Sequence, residues 1–377
     1  MSLRLWRLVR RGASAKYTRV SIVGALAALL AVGALVPLNS AGAAPASQAP
    51  GCPPAGSATA LTGAGATFPA PIYTRWFDGY AQSCGVQVNY QAIGSGGGIR
   101  QHTERTVDFG ASDAILTAEQ FAAASGTIMI PTVAGAVALV ANIEGITAGQ
   151  LQASGDTIAK IYLGEITRWN DPRLQAENPS MSLSDRAITP VRRSDGSGTT
   201  NIFTTYLSKI SPDWQSRVGA STSVEWPAGV GGEGNAGVAG QVRQIPGSIG
   251  YVELAYAKQN NLPWLAIRNQ ANNYIQPTLD STTVAMDGID LPDNMQVMLV
   301  DSPNPQAYPI AGFTWVLVYQ NQADRAKAQT LVSLLRWSLT DAQSMAAALD
   351  YAQLSPSAQQ KALALVNGIT ASGQPLP

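Results

Sequence analysis

Apolar positions recur along this chain with two different spacings, which separate its predicted helices from its predicted strands. Ile72, Trp76 and Tyr80 lie four residues apart, which places them on one face of a helix. Residues 86–93 alternate instead and are rich in β-formers, which is typical of a strand. Across residues 58–113 the elements follow as strand, loop, helix and strand, an order that predicts an α/β domain with loops at the carboxyl ends of its strands.

Two long apolar runs interrupt this pattern of short elements. They are residues 128–143, IMIPTVAGAVALVANI, and residues 308–319, YPIAGFTWVLVY. We expect each to be a buried strand that crosses between two lobes, the first outward and the second in return. Amphipathic helices predicted in residues 322–352 and 355–369 then rejoin the first lobe. The pattern predicts two α/β lobes joined by two crossover strands, a hinged clamshell with its ligand in the cleft.

The crossovers set the predicted domain boundaries. Lobe 1 comprises residues 58–137 and 304–377, and lobe 2 comprises residues 138–303. The helices predicted within lobe 2, besides one discussed below, lie around Gln150–Leu151, over residues 157–163, and near Val242 after a glycine-rich stretch, 229–240.

Residues 1–43 have the composition of a secretory signal peptide. Six basic residues precede an apolar, alanine-rich run, 22–36, and an A-x-A cleavage site ends at Ala43. An uncleaved membrane anchor is the alternative, because residues 20–38 approach the roughly 20 apolar residues that span a bilayer. The small-residue site favours cleavage, and hence an exported protein with a flexible mature N-terminus over residues 44–57.

Export changes the charge of the chain. The predicted signal peptide holds six of the 24 basic residues and no acidic ones, which leaves 18 basic against 24 acidic residues, a net charge of about −6. This balance argues against nucleic-acid binding, which depends on many Lys and Arg contacts to phosphates. A bound anion must instead be held by local dipoles and one or two arginines.

Few side chains suited to catalysis or metal binding are present. Cys52 and Cys84 are the two cysteines, and in an exported chain they most simply form one disulfide, with free thiols as the alternative. His102 is the single histidine, so a Ser-His-Asp triad has one candidate base and a histidine-rich metal site has none. We expect His102 on a helix surface, and we expect no metal and no cofactor.

Residues 189–207, TPVRRSDGSGTTNIFTTYL, predict an anion site. A strand end, two arginines and Asp195 precede a small-residue loop, and Ser197 supplies a hydroxyl where a helix begins. The free N–H groups and positive dipole of a helix start favour an anion, and Arg192 or Arg193 can add a charged fork. A capped helix with a surface Arg–Asp pair fits this segment alone equally well.

Similar loop-to-helix transitions occur at Thr67-Phe68 and Ser95-Gly96. Converging from two lobes, the three transitions would surround a tetrahedral anion. Other loop signatures do not fit: Phe68 replaces the third glycine of a dinucleotide fingerprint, segment 189–207 lacks the lysine of a nucleotide loop, and no loop serine stands in G-x-S-x-G. The sequence therefore favours an oxyanion-binding protein over a serine hydrolase.

Six motifs occur in order along the mature chain. They are LTGAGATFPAPIY (61–73), VNYQAIGSGGGIRQ (88–101), VDFGASDA (107–114), RRSDGSGTT (192–200), GVGGEGNAGVAG (229–240) and GSIGYVELAYAKQNN (247–261). Together they resemble the phosphate-binding proteins of bacterial phosphate ABC transporters, the PstS type. The resemblance implies a periplasmic-binding-protein fold, inorganic phosphate as ligand and a membrane ABC permease as partner.

The resemblance also implies phosphate contacts at matching positions. These residues are Thr67, Phe68 (through its N–H), Ser95, Asp113, Arg193, Ser197, Gly198 (through its N–H) and Thr199. Asp195 would support Arg193, which leaves Arg192 as a surface charge. The family often has a second serine where this chain has Gly96, so this position offers only its N–H.

Asp113 is the informative member of the set, because a carboxylate should repel an anion unless the anion has a proton to donate. Monohydrogen phosphate retains one, with a second pKa of about 6, whereas sulfate has none at neutral pH. We therefore expect Asp113 to accept a hydrogen bond from phosphate and to reject sulfate.

The predicted protein is a monomeric, exported, non-enzymatic carrier that captures phosphate and delivers it to a permease. A secreted phosphatase or phosphate-ester hydrolase that uses the same anion site is the alternative. It would need a nucleophile with a base, or a metal cluster, and the sequence offers neither clearly. Another oxyanion stays open as ligand, because arsenate is also protonated at neutral pH.

Overall fold

The computed structural model describes residues 51–377. The predicted signal peptide and residues 44–50 of the predicted flexible N-terminus lie outside the described residues. Within 51–377, no helix has both the length and the apolar character needed to span a bilayer.

The described residues alternate between strands and helices along most of their length. The strands are β1 (Ala60–Gly65), β2 (Gln87–Ala92), β3 (Phe109–Ser112), β4 (Thr127–Ala141), β5 (Gln152–Ala153), β6 (Thr189–Arg193), β7 (Val230–Gly232), β8 (Ser248–Glu253), β9 (Ala266–Arg268), β10 (Tyr274–Ile275), β11 (Ala311–Tyr319), β12 (Asn321–Gln322), β13 (Thr370–Ala371) and β14 (Gln374–Pro375). The helices are α1 (Ala70–Cys84), α2 (Ser95–Thr103), α3 (Ala118–Ala123), α4 (Gly155–Tyr162), α5 (Pro172–Glu177), α6 (Gly198–Ile210), α7 (Pro212–Arg217), α8 (Gly234–Gln244), α9 (Leu254–Gln259), α10 (Leu279–Thr283), α11 (Arg325–Leu339) and α12 (Pro356–Asn367).

Eight strands form one sheet in the order β2-β1-β3-β11-β4-β8-β6-β7. Strands β1, β2 and β3 are parallel to one another, as are β6, β7 and β8. Between these two groups, β11 and β4 pair antiparallel, so the groups point in opposite directions. The predicted α/β class and clamshell fold are confirmed. The lobe boundaries stay predictions.

Strand β4 joins the two groups of parallel strands. Nine of its first ten residues, all but Thr132, pair with β11, and its last five, from Val137, pair with β8. All but one of its 15 residues are buried, which explains why its sequence is apolar on both faces. The long run that predicts a buried crossing strand is therefore a strand over nearly its full length.

Helix α1 buries the apolar face that its sequence predicts. Ile72, Trp76 and Tyr80 are at most 1% exposed, and the indole N–H of Trp76 donates to the Ala342 carbonyl oxygen at 2.9 Å. The helix ends at Gly85, which has a left-handed φ of 69° that glycine adopts without strain.

Three helix predictions need correction. Gln150 and Leu151 do not form a helix: they lie in a turn and bend that lead into β5, and the Leu151 carbonyl accepts from Ala266 N–H at 2.9 Å. Pairing with a strand far away in the chain leaves no periodic pattern in the local sequence.

The glycine-rich stretch 229–240 does not merely precede a helix near Val242, because α8 already begins at Gly234. A Cβ on Gly232 would lie 2.6 Å from Val238 N, so close packing of β7 against α8 requires glycine there.

The third correction concerns the predicted helix over residues 322–352. Helix α11 ends at Leu339, and the chain continues as two 3-10 turns, Asp341–Met345 and Ala347–Leu349. Ala342 is buried, and Met345 and Leu349 are half-buried against the core, but Ala348 is exposed, so the amphipathic pattern persists only in part beyond the α-helix.

The cysteine prediction is confirmed. Cys52 and Cys84 form a disulfide, with Cα atoms 5.3 Å apart, which ties the start of the described chain to the end of α1.

His102 is not a helix-surface residue, contrary to the sequence prediction. It is 1% exposed, its Nε2 lies 2.8 Å from Thr127 Oγ1, and its ring stacks on Tyr319 at 4.4 Å between centroids. Burial, reinforced by the charge of Arg105, lowers the pKa of His102 from 6.5 to about 4. The short, glycine-rich helix α2 has too few apolar residues to indicate which face is buried.

This burial predicts a pH-dependent stability. The unfolded chain binds a proton at His102 below about pH 6.5, whereas the folded chain resists protonation until about pH 4, so stability is lost as the pH falls through this window. We expect a loss of up to about 3 kcal/mol in the free energy of unfolding. Denaturant unfolding between pH 7.5 and pH 4.5 should give a shallower pH slope for His102→Gln than for the wild type. Parallel profiles would contradict the assignment.

Candidate functional site

The functional residues predicted from the sequence lie where strands β1, β2, β3 and β6 end and the following segments begin. Strand β6 ends at Arg193 and α6 begins at Gly198. Ser197 is the N-cap of α6, because its hydroxyl oxygen accepts from Thr200 N–H at 3.0 Å. The predicted helix cap is therefore present, and its surroundings decide whether it is also part of an anion site.

Arg193 is a buried cation held by Asp195. Its side chain is 1% exposed, its Nε donates to Asp195 Oδ1 at 2.7 Å, and its Nη2 donates to the other carboxylate oxygen. Gly234 N–H also donates to Asp195, at 3.0 Å. Burial works to raise the pKa of Asp195, but the hydrogen bond and charge of Arg193 outweigh it and leave that pKa below its ordinary value. The ion pair is therefore not the solvent-exposed kind, and it fixes the plane of the guanidinium.

Arg192 differs from its neighbour because side chains alternate along a strand. It is half-buried, and its Nη1 donates to the Arg193 carbonyl oxygen at 3.3 Å. It makes no hydrogen bond to Asp195, Ser197 or Thr199 within the described chain.

Ser95 joins three elements at the centre of the site. It is fully buried, and its Oγ accepts from Asp113 N–H at 3.2 Å and from Gly198 N–H at 3.0 Å. The next residue, Gly96, donates its N–H to the Gly196 carbonyl oxygen at 2.9 Å. The first turn of α2 and the loop after β6 are thus in direct contact.

Gly198 permits this approach. A Cβ at this position would lie 2.5 Å from Ser95 Oγ and 2.6 Å from Asp113 Cβ. No side chain fits there, so the first turn of α6 reaches Ser95 and Asp113 only because residue 198 is glycine.

Thr67 and Thr199 are linked by a residue that the sequence analysis did not select, Asn235. Thr67 Oγ1 accepts from the Asn235 backbone N–H at 3.2 Å and from its Nδ2 at 2.8 Å. Thr199 Oγ1 accepts from Asn235 Nδ2 at 3.1 Å and from Arg193 Nη1 at 3.4 Å. The sequence signal for Asn235 is modest: it is an amide side chain in a run of glycine and alanine at a helix start.

The hydroxyls of Ser95, Thr67 and Thr199 can therefore act toward a ligand only as hydrogen-bond donors. A hydroxyl can accept two hydrogen bonds and donate one, and each of these oxygens already accepts two from N–H groups. Each hydroxyl therefore has only its hydrogen available for a further hydrogen bond. The three hydroxyls are arranged to donate, which suits a ligand whose oxygens accept.

Asp113 is the buried carboxylate among these donors. It is 1% exposed, and its Oδ1 accepts from the Thr314 hydroxyl at 2.8 Å. Burial raises the pKa of Asp113 to about 7, against the opposing effects of the Thr314 hydrogen bond and the charge of Arg193. Thr314 was also missed from the sequence, although a threonine inside the apolar run 308–319 is a recognisable signal.

The raised pKa predicts that Asp113 reduces the stability of the ligand-free protein at neutral and alkaline pH. The folded state keeps its proton up to about pH 7 while the unfolded chain ionises near pH 3.8, so stability falls as the pH rises between these values. Asp113→Asn should remove this cost and raise the free energy of unfolding above pH 7 by up to about 4 kcal/mol. Denaturant unfolding of the ligand-stripped proteins should show that the difference in the free energy of unfolding between Asp113→Asn and the wild type becomes smaller toward pH 4. A variant less stable than the wild type at pH 8 would contradict this.

Phe68 occupies the turn between β1 and α1. It is fully buried, its carbonyl oxygen accepts from Tyr351 O–H at 2.6 Å, and the carbonyl of the preceding Thr67 accepts from Tyr256 O–H at 2.6 Å. These bonds hold the segment that connects β1 to α1.

A cavity adjoins the residues of the site. It has a volume of about 290 Å³ and is lined by residues that include Thr67, Ile93, Asp195, Glu233 and Tyr256. Ser95, Asp113 and Arg193 lie behind it, and each is at most 3% exposed. Elsewhere in residues 51–377, no group of three or more His, Cys, Asp or Glu side chains is arranged to hold a metal ion.

Comparison with known proteins gives consistent matches over most of the chain. Residues 52–341 match the PBP superfamily domain. The phosphate-binding protein PstS of Haemophilus influenzae is 42% identical over 294 residues, which cover 78% of this chain and 88% of that protein. The phosphate-binding protein PstS of Xylella fastidiosa (strain 9a5c) is 41% identical over 298 residues, covering 78% and 82% of the two chains.

Solved structures agree in fold. A high affinity periplasmic phosphate-binding protein, PfluDING, aligns with a TM-score of 0.66 at 21% identity, covering 82% of this chain and 98% of that one. A phosphate-binding protein from Stenotrophomonas maltophilia aligns with a TM-score of 0.64 at 20% identity, covering 81% and 94%. At these identities the likeness concerns the fold.

Proposed function

Because this chain belongs to the PBP superfamily and, within it, to the PstS family of phosphate-binding proteins, we propose that it captures inorganic phosphate and delivers it to the membrane ABC permease of a phosphate transporter. One observation carries the proposal. Three buried hydroxyls that can only donate lie beside a buried arginine and one buried carboxylate.

This combination matches the hydrogen-bonding needs of monohydrogen phosphate. Its unprotonated oxygens accept from the three hydroxyls and from Arg193, and its one hydrogen is donated to Asp113. The proposed contacts, taken from the family resemblance, are Thr67, Phe68 N–H, Ser95, Asp113, Arg193, Ser197, Gly198 N–H and Thr199. In the structure Ser95 accepts from Gly198 N–H, and Ser197 accepts from Thr200 N–H. Phosphate would add to or replace these bonds.

Opening and closing of two lobes would admit and enclose the ligand. Thr67, Ser95 and Asp113 fall in the proposed lobe 1, whereas Arg193, Ser197 and Thr199 fall in the proposed lobe 2. Closure around phosphate removes water from the charge-assisted hydrogen bonds, and this strengthens them. The cavity beside Thr67 and Asp195 lies where phosphate would enter.

We propose that the protein binds phosphate without turning over phosphate esters. The single histidine of the chain, His102, is hydrogen-bonded to Thr127 rather than to Ser95 or Ser197, and its lowered pKa makes it a weak base. His102 is therefore not placed to act as the base of a Ser-His pair with either serine. Robust release of nitrophenol from p-nitrophenyl phosphate would instead support the hydrolase alternative.

We further propose that the mature protein is an extracytoplasmic or periplasmic monomer released after cleavage at Ala43. Supporting this are the signal-like composition of residues 1–43 and the Cys52–Cys84 disulfide, a bond that persists in oxidising compartments.

Equilibrium dialysis with radiolabelled phosphate tests the proposed function. Protein stripped of bound ligand by unfolding and refolding should take up one phosphate per chain. Excess arsenate should displace the label, and equal excess sulfate should not. No uptake, or displacement by sulfate as effective as by unlabelled phosphate, would refute the proposal.

A further inference from the structure

Asn235 stands out as a fully buried side chain that contacts two of the proposed phosphate-binding hydroxyls at once. It is the second residue of α8, and its Nδ2 lies 2.8 Å from Thr67 Oγ1 and 3.1 Å from Thr199 Oγ1. We propose that Asn235 is a positioning residue that keeps both threonine hydroxyls turned to donate to phosphate. This inference rests on the proposed function.

The orientation of the carboxamide follows from its third contact. Asn235 Oδ1 accepts from Glu253 N–H at 2.8 Å, at the end of β8. With the oxygen occupied by a donor, the amide nitrogen must face the threonines, and its two hydrogens are matched to two acceptors. Glu253 N–H thus determines which end of the amide meets Thr67 and Thr199.

The orientation of the amide determines that the two threonine hydroxyls donate. A hydroxyl that accepts from Asn235 Nδ2 has its own hydrogen free for a ligand. Without that amide donor, each hydroxyl loses one of its two acceptor bonds and can rotate toward other partners. Phosphate binding must then restore the productive rotamer at a cost in affinity.

Asn235 also connects the two sides of the site. Thr67 follows β1, and Thr199 lies in the first turn of α6, so these two residues lie in different proposed lobes. One amide that bonds to both favours the arrangement in which the two hydroxyls face a common ligand. Truncation of Asn235 should therefore weaken phosphate binding although Asn235 itself makes no proposed phosphate contact.

A purely structural role for Asn235 makes a different prediction. If the amide only satisfies Glu253 N–H and anchors α8, its removal should weaken phosphate binding equally whether or not the threonine hydroxyls are present. Effects of residues that act through one another are instead strongly non-additive.

A double-mutant cycle separates these roles. Phosphate affinity is measured by calorimetry for the wild type, Asn235→Ala, the pair Thr67→Val and Thr199→Val, and the triple variant. We expect Asn235→Ala to weaken binding about 30-fold in the wild-type background and less than about threefold when both hydroxyls are absent. Equal losses in the two backgrounds, or no loss in either, would overturn the inference.

Asn235→Asp provides a second test in case the alanine variant does not fold. Aspartate has the same shape and still accepts from Glu253 N–H, but it offers the threonines only acceptors. The added charge also repels phosphate, so Asn235→Asp is measured with and without the two threonine hydroxyls: repulsion alone predicts equal losses of affinity in both backgrounds, whereas the positioning role predicts a larger loss when the hydroxyls are present. Thermal unfolding without phosphate reports whether each variant is folded. A wild type that binds no phosphate would refute the proposed function itself, whereas binding without coupling would refute only the role of Asn235.

Discussion

Replacing Arg193 by alanine is expected to weaken phosphate binding by a factor of roughly a thousand, because truncating one partner of a buried, hydrogen-bonded charge pair costs about 2 to 5 kcal/mol of binding free energy. The guanidinium is 1% exposed, and it is the cation whose Nη1 reaches the Thr199 hydroxyl. Its removal leaves Asp195 as an uncompensated negative charge beside the anion site.

Calorimetry on three variants tests this expectation. Arg192→Ala is the matched control, since it removes the same side chain one residue away on the opposite face of β6, and we expect less than about a fivefold change. Arg193→Ala combined with Asp195→Asn should recover part of the lost affinity, because the unpaired carboxylate is gone. If Arg193→Ala binds phosphate within about tenfold of the wild type, or if Arg192→Ala loses as much, the assignment of Arg193 is wrong.

Replacing Asp113 by asparagine is expected to lower the preference for phosphate over sulfate by about two orders of magnitude. A carboxylate that has no proton to receive from sulfate leaves two negative groups in contact in a buried site, at a cost of a few kcal/mol. Asparagine removes the repulsion and offers a donor, so we expect sulfate to bind the variant measurably. Phosphate should bind somewhat less tightly, since it loses a charged acceptor.

Competition calorimetry with phosphate and sulfate at about pH 8 measures this preference while Asp113 is ionised. Asp108→Asn provides the matched control: Asp108 stands just before the same strand, β3, but pairs with Lys327 at 2.7 Å and with Thr62 N–H. That variant should keep the wild-type preference. An unchanged preference in Asp113→Asn would mean that selectivity arises elsewhere.

Much of the fold is predictable from the sequence because its signals are local and strong. The run 128–143 is apolar on both faces and becomes β4, a strand that pairs with both halves of the sheet. The helix face at Ile72, Trp76 and Tyr80 is buried as its spacing predicts. By contrast, Leu151 leads into a two-residue strand whose partner lies more than 100 residues away, and no local pattern reports such a pairing.

The candidate site is predictable to a smaller extent. The resemblance selects Thr67, Ser95 and Thr199. The structure shows in addition that their hydroxyl oxygens already accept hydrogen bonds from N–H groups. Asn235 and Thr314 were missed because their importance depends on partners far away in the chain. His102 was misplaced on the surface for a similar reason: its burial is created by Tyr319 and Thr127, which come from distant strands.

Selective phosphate binding is measured by calorimetric titration of the ligand-stripped wild-type protein with phosphate and with sulfate at about pH 7.5. Because three hydroxyls are fixed as donors beside one buried arginine and one buried carboxylate, we expect one-to-one phosphate binding at about micromolar or tighter affinity. We expect no detectable heat with sulfate at concentrations of about one millimolar. Sulfate binding as tight as phosphate binding, or an absence of phosphate binding, would contradict this expectation.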